Sequence, residues 1–297
     1  MKVCDYPHVI GPVLDAPAAD AFEGPRASIM GGPATLALLR EELQRLESEF
    51  CRVGNYHGFF ISCYVVSMRK CESLVDAIRD PHHPHHQSLN GLSADLIHEI
   101  AARFSQHYFQ ACSNYMLGTV ERVPEPWRRA FDYSRKEGAD PLRCMLAGLI
   151  AHSCYDLPLV LSESLPQGGG VYDRSDRQHV LTYGLISRFL TDELGAVRQN
   201  LRLTRNLLQG YRGRRMRDLS MGIAWLMDKY PLSTAIGRML HAVHREAKLN
   251  CFRLQSGRMN HQDLSRLCCD YIEEVTMPRG YLAMAGRLLR IFFECRR

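Results

Sequence analysis

Apolar residues recur every three to four positions along most of the chain from Ala34 onward, which is the spacing of one face of an α-helix. The stretch "TLALLREELQRLESEF" sets leucines at this spacing opposite charged residues, and "SADLIHEIAARFSQHYFQACSNYM" has a similar pattern. The stretch "GFFISCYVVSMRKCESLVDAI" is more apolar and predicts a buried helix. Paired strand patterns, internal repeats and long linkers are absent. The sequence therefore predicts an all-α fold, a single irregular helical bundle of about eight or nine helices.

Composition divides the chain into an arm and one domain. Residues 1–33 are rich in proline, alanine and glycine and predict an irregular N-terminal arm, whereas 34–297 predicts a single helical domain. Apolar residues make up 46% and charged residues 23% of the 297 residues, as in a soluble globular protein. The formal net charge of +5 is modest and its basic residues are dispersed, so no nucleic-acid partner is expected. The oligomeric state stays open.

Neither a leader peptide nor a membrane span is predicted. The first residues lack a continuous apolar segment, and no run of about 18 uninterrupted apolar residues follows. We expect a cytoplasmic protein without stable membrane insertion. Eleven cysteines fit that compartment because none forms a C-x-x-C pair and several lie in apolar helical patterns, among them Cys63, Cys112, Cys144 and Cys154. We interpret most of them as reduced core residues.

The stretch "MLAGLIAHSCYDLPLVL" carries the most distinctive chemistry. His152 and Asp156 lie four residues apart, so a helix projects both from one face. Gly148 lies one turn earlier and predicts an open face, and Pro158 predicts a kink that favours a pocket. Burial raises the pKa of an aspartate and lowers that of a histidine, while their proximity acts in the opposite direction. Such a pair suits acid/base catalysis, metal binding or a structural hydrogen bond.

Other polar residues are candidates for the same site. His107 lies on an apolar helix one turn after Arg103, and Tyr64 lies within a buried helix. Asp176 follows the central helix and serves either as a helix cap or as a metal ligand. The histidine-rich loop from His82 to His86 is broken by proline and lacks helical ligand spacing, so a solvated loop is the favoured interpretation. The chain contains no phosphate-binding or dinucleotide-binding glycine motif, which argues against ATP and NAD as cofactors.

The segments "PEPWRRAFDYSR" and "DPLRCMLAGLIAHSCYDLPLVL" resemble a family known only as domain of unknown function 5995. The resemblance extends over about residues 36–229 and includes "RFSQHYFQA", "DRQHVLTYGLI" and "GIAWLMD". It implies a helical protein whose polar centre is His152 and Asp156, with Asp176 a weaker match. An asparagine of the family pattern is replaced here by Ile150. The resemblance implies no reaction.

Three functions follow as hypotheses. The first is an enzyme that uses acid/base chemistry to cyclise, eliminate or isomerise a small, largely apolar metabolite of specialised metabolism. In it His152 is the acid or base, Asp156 orients His152, and Tyr64 or His107 polarises the substrate, with no cofactor. The second is a metal-dependent hydrolase in which His152, Asp156 and Asp176 bind Zn, Fe or Mn. The third is a non-enzymatic protein that binds a small molecule in the same cavity.

Overall fold

Every regular element in the part of the chain that the structure describes is helical, so the predicted all-α fold is confirmed. The computed structural model describes residues 35–52, 55–84, 86–89, 92–164 and 246–277. The helices are α1 (Leu36–Arg52), α2 (Gly58–Arg79), α3 (Ala94–Met116), α4 (Glu125–Ser134), α5 (Pro141–Ile150), a π-helical segment (Ala151–Asp156), α6 (Leu157–Ser164), α7 (246–255) and α8 (His261–Thr276). Short 3-10 turns lie at His86–Leu89 and Val120–Arg122. The predicted N-terminal arm, the helices predicted between 165 and 245 and the last predicted helix lie outside the described residues.

Three helices start at side chains that accept backbone N–H groups. Ser93 accepts from Leu96 at the start of α3, and Asp140 accepts from Arg143 at the start of α5. Asn260 and Asp263 form a reciprocal capping box at the start of α8. These caps satisfy N–H groups that the first helical turn leaves without partners, and so fix where each helix begins.

The core forms where the apolar helix faces meet. Helix α1 packs along α2, α2 packs on α3 and α5, and α8 covers α4, α5 and the π-helical segment. Aromatic side chains fill the centre, and Phe60, Tyr108, Trp127 and Phe131 are almost fully buried. Four of the cysteines predicted to lie in the core are buried as expected: Cys63, Cys112, Cys144 and Cys154. The site described below lies within this aromatic centre.

The central helix changes its hydrogen-bond register instead of running as one regular α-helix. In the π-helical segment the N–H of Leu157 bonds to the carbonyl of His152, five residues earlier. Pro158 has no N–H to donate, so a carbonyl of the preceding turn loses its helical partner in either register. The predicted distortion near Pro158 thus takes the form of a π-helical turn that contains both His152 and Asp156.

The stretch Arg143–Ser164 is long and apolar enough to cross a membrane, and within the described ranges it alone meets that test. Of its most apolar window, 83% is buried inside the protein. Burial of this extent is typical of the central helix of a helical domain. The absence of stable membrane insertion stays a prediction.

Arg143 ties the central helix to the end of α8. Its buried guanidinium group donates from Nη1 to the carbonyl oxygens of Val275, at 3.2 Å, and of Met277. We expect Arg143→Met to lower the free energy of unfolding by about 1.5 kcal/mol, because carbonyls at the helix end lose their donor. Urea denaturation measures the loss. The control Arg266→Met alters an exposed arginine of α8 and should change stability by less than about 0.5 kcal/mol. Equal effects of the two substitutions would contradict this role.

Candidate active site

The π-helical segment brings the predicted pair together. Nδ1 of His152 lies 3.2 Å from Oδ2 of Asp156, so the predicted pairing on one helix face is confirmed. The two side chains are only 5% and 1% exposed. The pair is therefore enclosed by protein atoms, and a molecule in solvent has no direct path to either polar group.

Aromatic rings form the enclosure. The imidazole of His152 stacks on Phe104, with ring centroids 3.4 Å apart and planes 7° apart. The ring of Tyr64 meets the same imidazole edge-on at 4.3 Å. Nε2 of His152 is buried and has no hydrogen-bond partner among the described residues. The ring of His152 is therefore packed against aromatic side chains, and its Nδ1 pairs with Asp156. Its predicted catalytic role stays a prediction.

The prediction that Gly148 leaves an open helix face is wrong. A Cβ atom built on Gly148 would lie 2.6 Å from Cγ and 2.9 Å from Cβ of Phe60. The missing side chain lets α2 approach α5, and the Phe60 ring occupies the space that the sequence assigned to a pocket. Phe60 also contacts the His152 ring, with centroids 5.5 Å apart.

Trp127 is a site residue that the sequence analysis did not select. Its indole Nε1–H donates to Oδ2 of Asp156 at 2.8 Å, from α4 to the π-helical segment. Trp127 is fully buried, and a buried indole N–H requires an acceptor. The sequence could have indicated this bond, because a buried tryptophan and a buried aspartate each need a polar partner.

His107 is the member of the group that reaches the surface. Its Nδ1 lies 3.9 Å from Oδ1 of Asp156, and its Nε2 lies 3.8 Å from Oε2 of Glu163. The side chains of His107 and Glu163 are 28% and 45% exposed. Arg103 also approaches Glu163, with Nη1 3.6 Å from Oε2. The two ring nitrogens of His107 therefore face different surroundings, one a buried carboxyl group and the other an exposed one.

The sequence analysis described two opposing effects on the pKa values of His152 and Asp156: burial and their proximity to each other. In the structure, burial is the larger effect. Loss of hydration raises the pKa of Asp156, and the Trp127 hydrogen bond opposes that rise. Loss of hydration, together with the nearby His107, lowers the pKa of His152. The pKa of His107 is also lowered by burial, while Glu163 raises it and Arg103 lowers it further. A lowered pKa favours the neutral imidazole, the form that accepts a proton.

Tyr64 lies beside the pair, but its hydroxyl group is engaged elsewhere. The phenol oxygen lies 2.8 Å from the hydroxyl of Ser105. When Ser105 donates to the carbonyl of Ala101, its oxygen accepts the hydrogen of Tyr64. Burial raises the pKa of Tyr64. In this arrangement the ring of Tyr64 packs against His152. The predicted role of Tyr64 in polarising a substrate stays a prediction.

The metal hypothesis depends on residues that the structure only partly describes. Asp176, its third predicted ligand, lies outside the described residues. Among the residues that are described, no group of three or more histidine, cysteine, aspartate or glutamate side chains is placed to hold an ion. This includes the described histidines of the His82–His86 loop, His82, His83 and His86. Zn, Fe or Mn binding through His152, Asp156 and Asp176 stays a prediction.

A separate surface groove lies beyond the π-helical segment. It has a volume of about 440 Å³ and lies between α4, Tyr155 and the first turns of α8. Arg129 and Arg266 line it together with Glu125 and Asp270, so its charge is mixed. His107, His152 and Asp156 do not line this groove.

Comparison with known proteins gives one match. No curated protein and no solved structure matches the chain. The model of a family of unknown function, DUF5995, matches residues 39–229, which is well over half of the chain. The matched range contains His107, Trp127, His152 and Asp156, and it agrees with the resemblance identified from the sequence. The chain belongs to the DUF5995 family of helical proteins of unknown function.

Proposed function

We propose that this protein is an enzyme that transfers a proton to or from a small, largely apolar metabolite, in a cyclisation, elimination or isomerisation. The observation that carries the proposal is the placement of His107 between a buried carboxyl group and the protein surface. An imidazole with a buried carboxyl group at one nitrogen and its other nitrogen on the exposed side suits general acid/base catalysis.

The roles are assigned by exposure. His107 exchanges the proton with the substrate through Nε2, the nitrogen on the side of Glu163. Asp156 orients the ring, because its Oδ1 faces Nδ1 of His107 at 3.9 Å. His152 takes the role of a buried partner of Asp156, because its own ring is covered by Phe104 and Tyr64. Glu163 lies in front of Nε2 and moves aside when substrate binds.

The lowered pKa of His107 keeps its imidazole neutral near pH 7, and a neutral ring is able to accept a proton. In the forward step the C–H or O–H bond of the substrate breaks, its electron pair stays on the substrate, and the proton bonds to Nε2. The positive charge of the resulting imidazolium in turn favours the ionised form of Asp156, against the burial that raises the pKa of that group. The proton is then returned to the product or to solvent, which regenerates the neutral ring.

The test uses solvent deuterium as a label. Purified protein is incubated in deuterated buffer with a metabolite extract of its source organism, and untargeted mass spectrometry follows consumed and formed compounds. We expect the wild type to form an isomer or elimination product, or to introduce solvent deuterium into a metabolite. His107→Ala should lower this rate about 100-fold or more, the usual contribution of a general base.

His98→Ala is the matched control, because it removes a half-buried histidine from the same helix two turns and more away. It should retain the wild-type rate. Full turnover by His107→Ala would overturn the proposal, as would a wild type that retains a ligand but converts nothing, which is the outcome a binding protein gives. Turnover that chelation abolishes and Zn²⁺ restores would favour the metal-dependent hydrolase instead.

A further inference from the structure

Trp127 and His152 both contact the same oxygen atom of Asp156. The indole Nε1–H of Trp127 donates to Oδ2 at 2.8 Å, and Nδ1 of His152 lies 3.2 Å from that Oδ2. Oδ1 instead faces Nδ1 of His107 at 3.9 Å. Oδ2 is thus held by Trp127 of α4 and by His152 of the π-helical segment, and Oδ1 faces the partly exposed His107.

The chemistry of the donors determines what Oδ2 does. An indole nitrogen only donates, so Oδ2 is an acceptor toward Trp127 in every protonation state. If His152 carries its hydrogen on Nδ1, it is a second donor to Oδ2, and the buried Nε2 then holds a lone pair instead of an N–H without a partner. An unpaired buried N–H is the rarer and costlier arrangement. Two fixed donors on Oδ2 stabilise the ionised carboxyl group and so oppose the effect of burial, which raises the pKa of Asp156 overall.

We propose that Trp127 is a positioning residue that holds Oδ2 of Asp156 so that Oδ1 accepts the Nδ1–H of His107. The consequence is a choice of tautomer: His107 carries its hydrogen on Nδ1 and keeps the lone pair of Nε2 for the substrate. This inference rests on the proposed function for its purpose, but its geometry is tested without any substrate.

The charged and titratable groups that face His107 come from each element packed around it. Arg103 lies on the same helix, Glu163 approaches from α6, and His152 and Asp156 come from the π-helical segment. Trp127 acts on His107 only through Asp156, because its indole bond ends at Oδ2. Removing the indole N–H therefore leaves these neighbours in place and alters one contact of one carboxyl group.

The test is ¹⁵N NMR of the labelled imidazole of His107 in the full-length protein, whose nitrogen shifts report which nitrogen carries the hydrogen. We expect the Nδ1–H tautomer in the wild type. In Trp127→Phe the carboxyl group loses a donor that stabilises its ionised form. The protonated form, which donates to Nδ1, is then favoured, and His107 shifts toward the Nε2–H tautomer. Where turnover is measurable, kcat should fall about 10-fold with KM little changed, since the reactive form is depleted while the binding surface is intact.

The matched control is Tyr115→Phe. It likewise removes a hydrogen bond from a ring of the aromatic core to an aspartate, here the 2.7 Å bond from Tyr115 to Oδ1 of Asp132. Its His107 shifts should equal those of the wild type. Unchanged His107 shifts in Trp127→Phe would overturn the proposal, and so would a wild type with its hydrogen on Nε2, a measurement that decides the matter even if the variant does not fold.

The two proposals fail in different ways. A wild type that catalyses nothing but changes tautomer in Trp127→Phe would overturn the enzymatic function and support the positioning role. Turnover that depends on His107 but not on Trp127, with an unchanged tautomer, would overturn the positioning role alone.

Discussion

We expect the variant His57→Gln to lose much less stability in acid than the wild type loses. His57 is fully buried among aromatic rings, and burial lowers its pKa from 6.5 to about 3. The unfolded chain therefore binds a proton that the folded protein excludes, so stability present above pH 6.5 is lost as the pH falls toward 3. The full effect is about 5 kcal/mol, at about 1.4 kcal/mol per pH unit.

Urea denaturation at about pH 7 and about pH 4.5 measures this effect as a difference between variants. The wild type should lose about 3 kcal/mol more than His57→Gln over that interval. Glutamine suits the comparison because its amide retains a partner for the Tyr108 hydroxyl, which lies 3.2 Å from Nε2 of His57. His98→Gln, on the half-buried surface of α3, should follow the wild type. Equal acid sensitivity of His57→Gln and wild type would contradict the assignment.

The second large effect is expected at Gly148. Gly148→Leu should lower the free energy of unfolding by about 3 kcal/mol, because its Cβ alone would lie 2.6 Å from Cγ and 2.9 Å from Cβ of Phe60. The Cβ of Phe60 is fixed to the α2 backbone, so the ring cannot relieve the contact by changing rotamer. Thermal or urea denaturation provides the measurement.

A double variant separates this contact from a general intolerance of α5 to substitution. Phe60→Ala alone should cost about 3–5 kcal/mol through the cavity it leaves. Added to Phe60→Ala, the leucine at position 148 enters that cavity, so the double variant should be more stable than the sum of the single effects by at least about 2 kcal/mol. Strict additivity would show that the two residues do not share this space.

The contact between Gly148 and Phe60 also explains why the His152–Asp156 pair is enclosed by protein atoms. The sequence associates a glycine, a histidine and an aspartate at four-residue intervals with an accessible face, because the helical period aligns them. The neighbouring helix decides whether that face is open, and here Phe60 of α2 covers it. His107, from α3, is the histidine of this group that reaches the surface.

By itself the sequence determined the all-α class and the pairing of His152 with Asp156. These features depend on residues within about one helical turn, through apolar periodicity, caps and four-residue spacing. The direction of the pKa shifts was also partly determined, because a polar residue inside an apolar helix is expected to be buried.

Only the tertiary structure decided which groups surround that pair. Trp127 and Phe104 meet it from two other helices, and no local spacing relates them to Asp156. The sequence predicted that His107 lies on an apolar helix. It did not predict that one ring nitrogen faces Asp156 and the other faces Glu163. The physical reason is that exposure and hydrogen-bond partners arise from packing between helices distant in the chain, whereas periodicity records only which face of each helix is apolar.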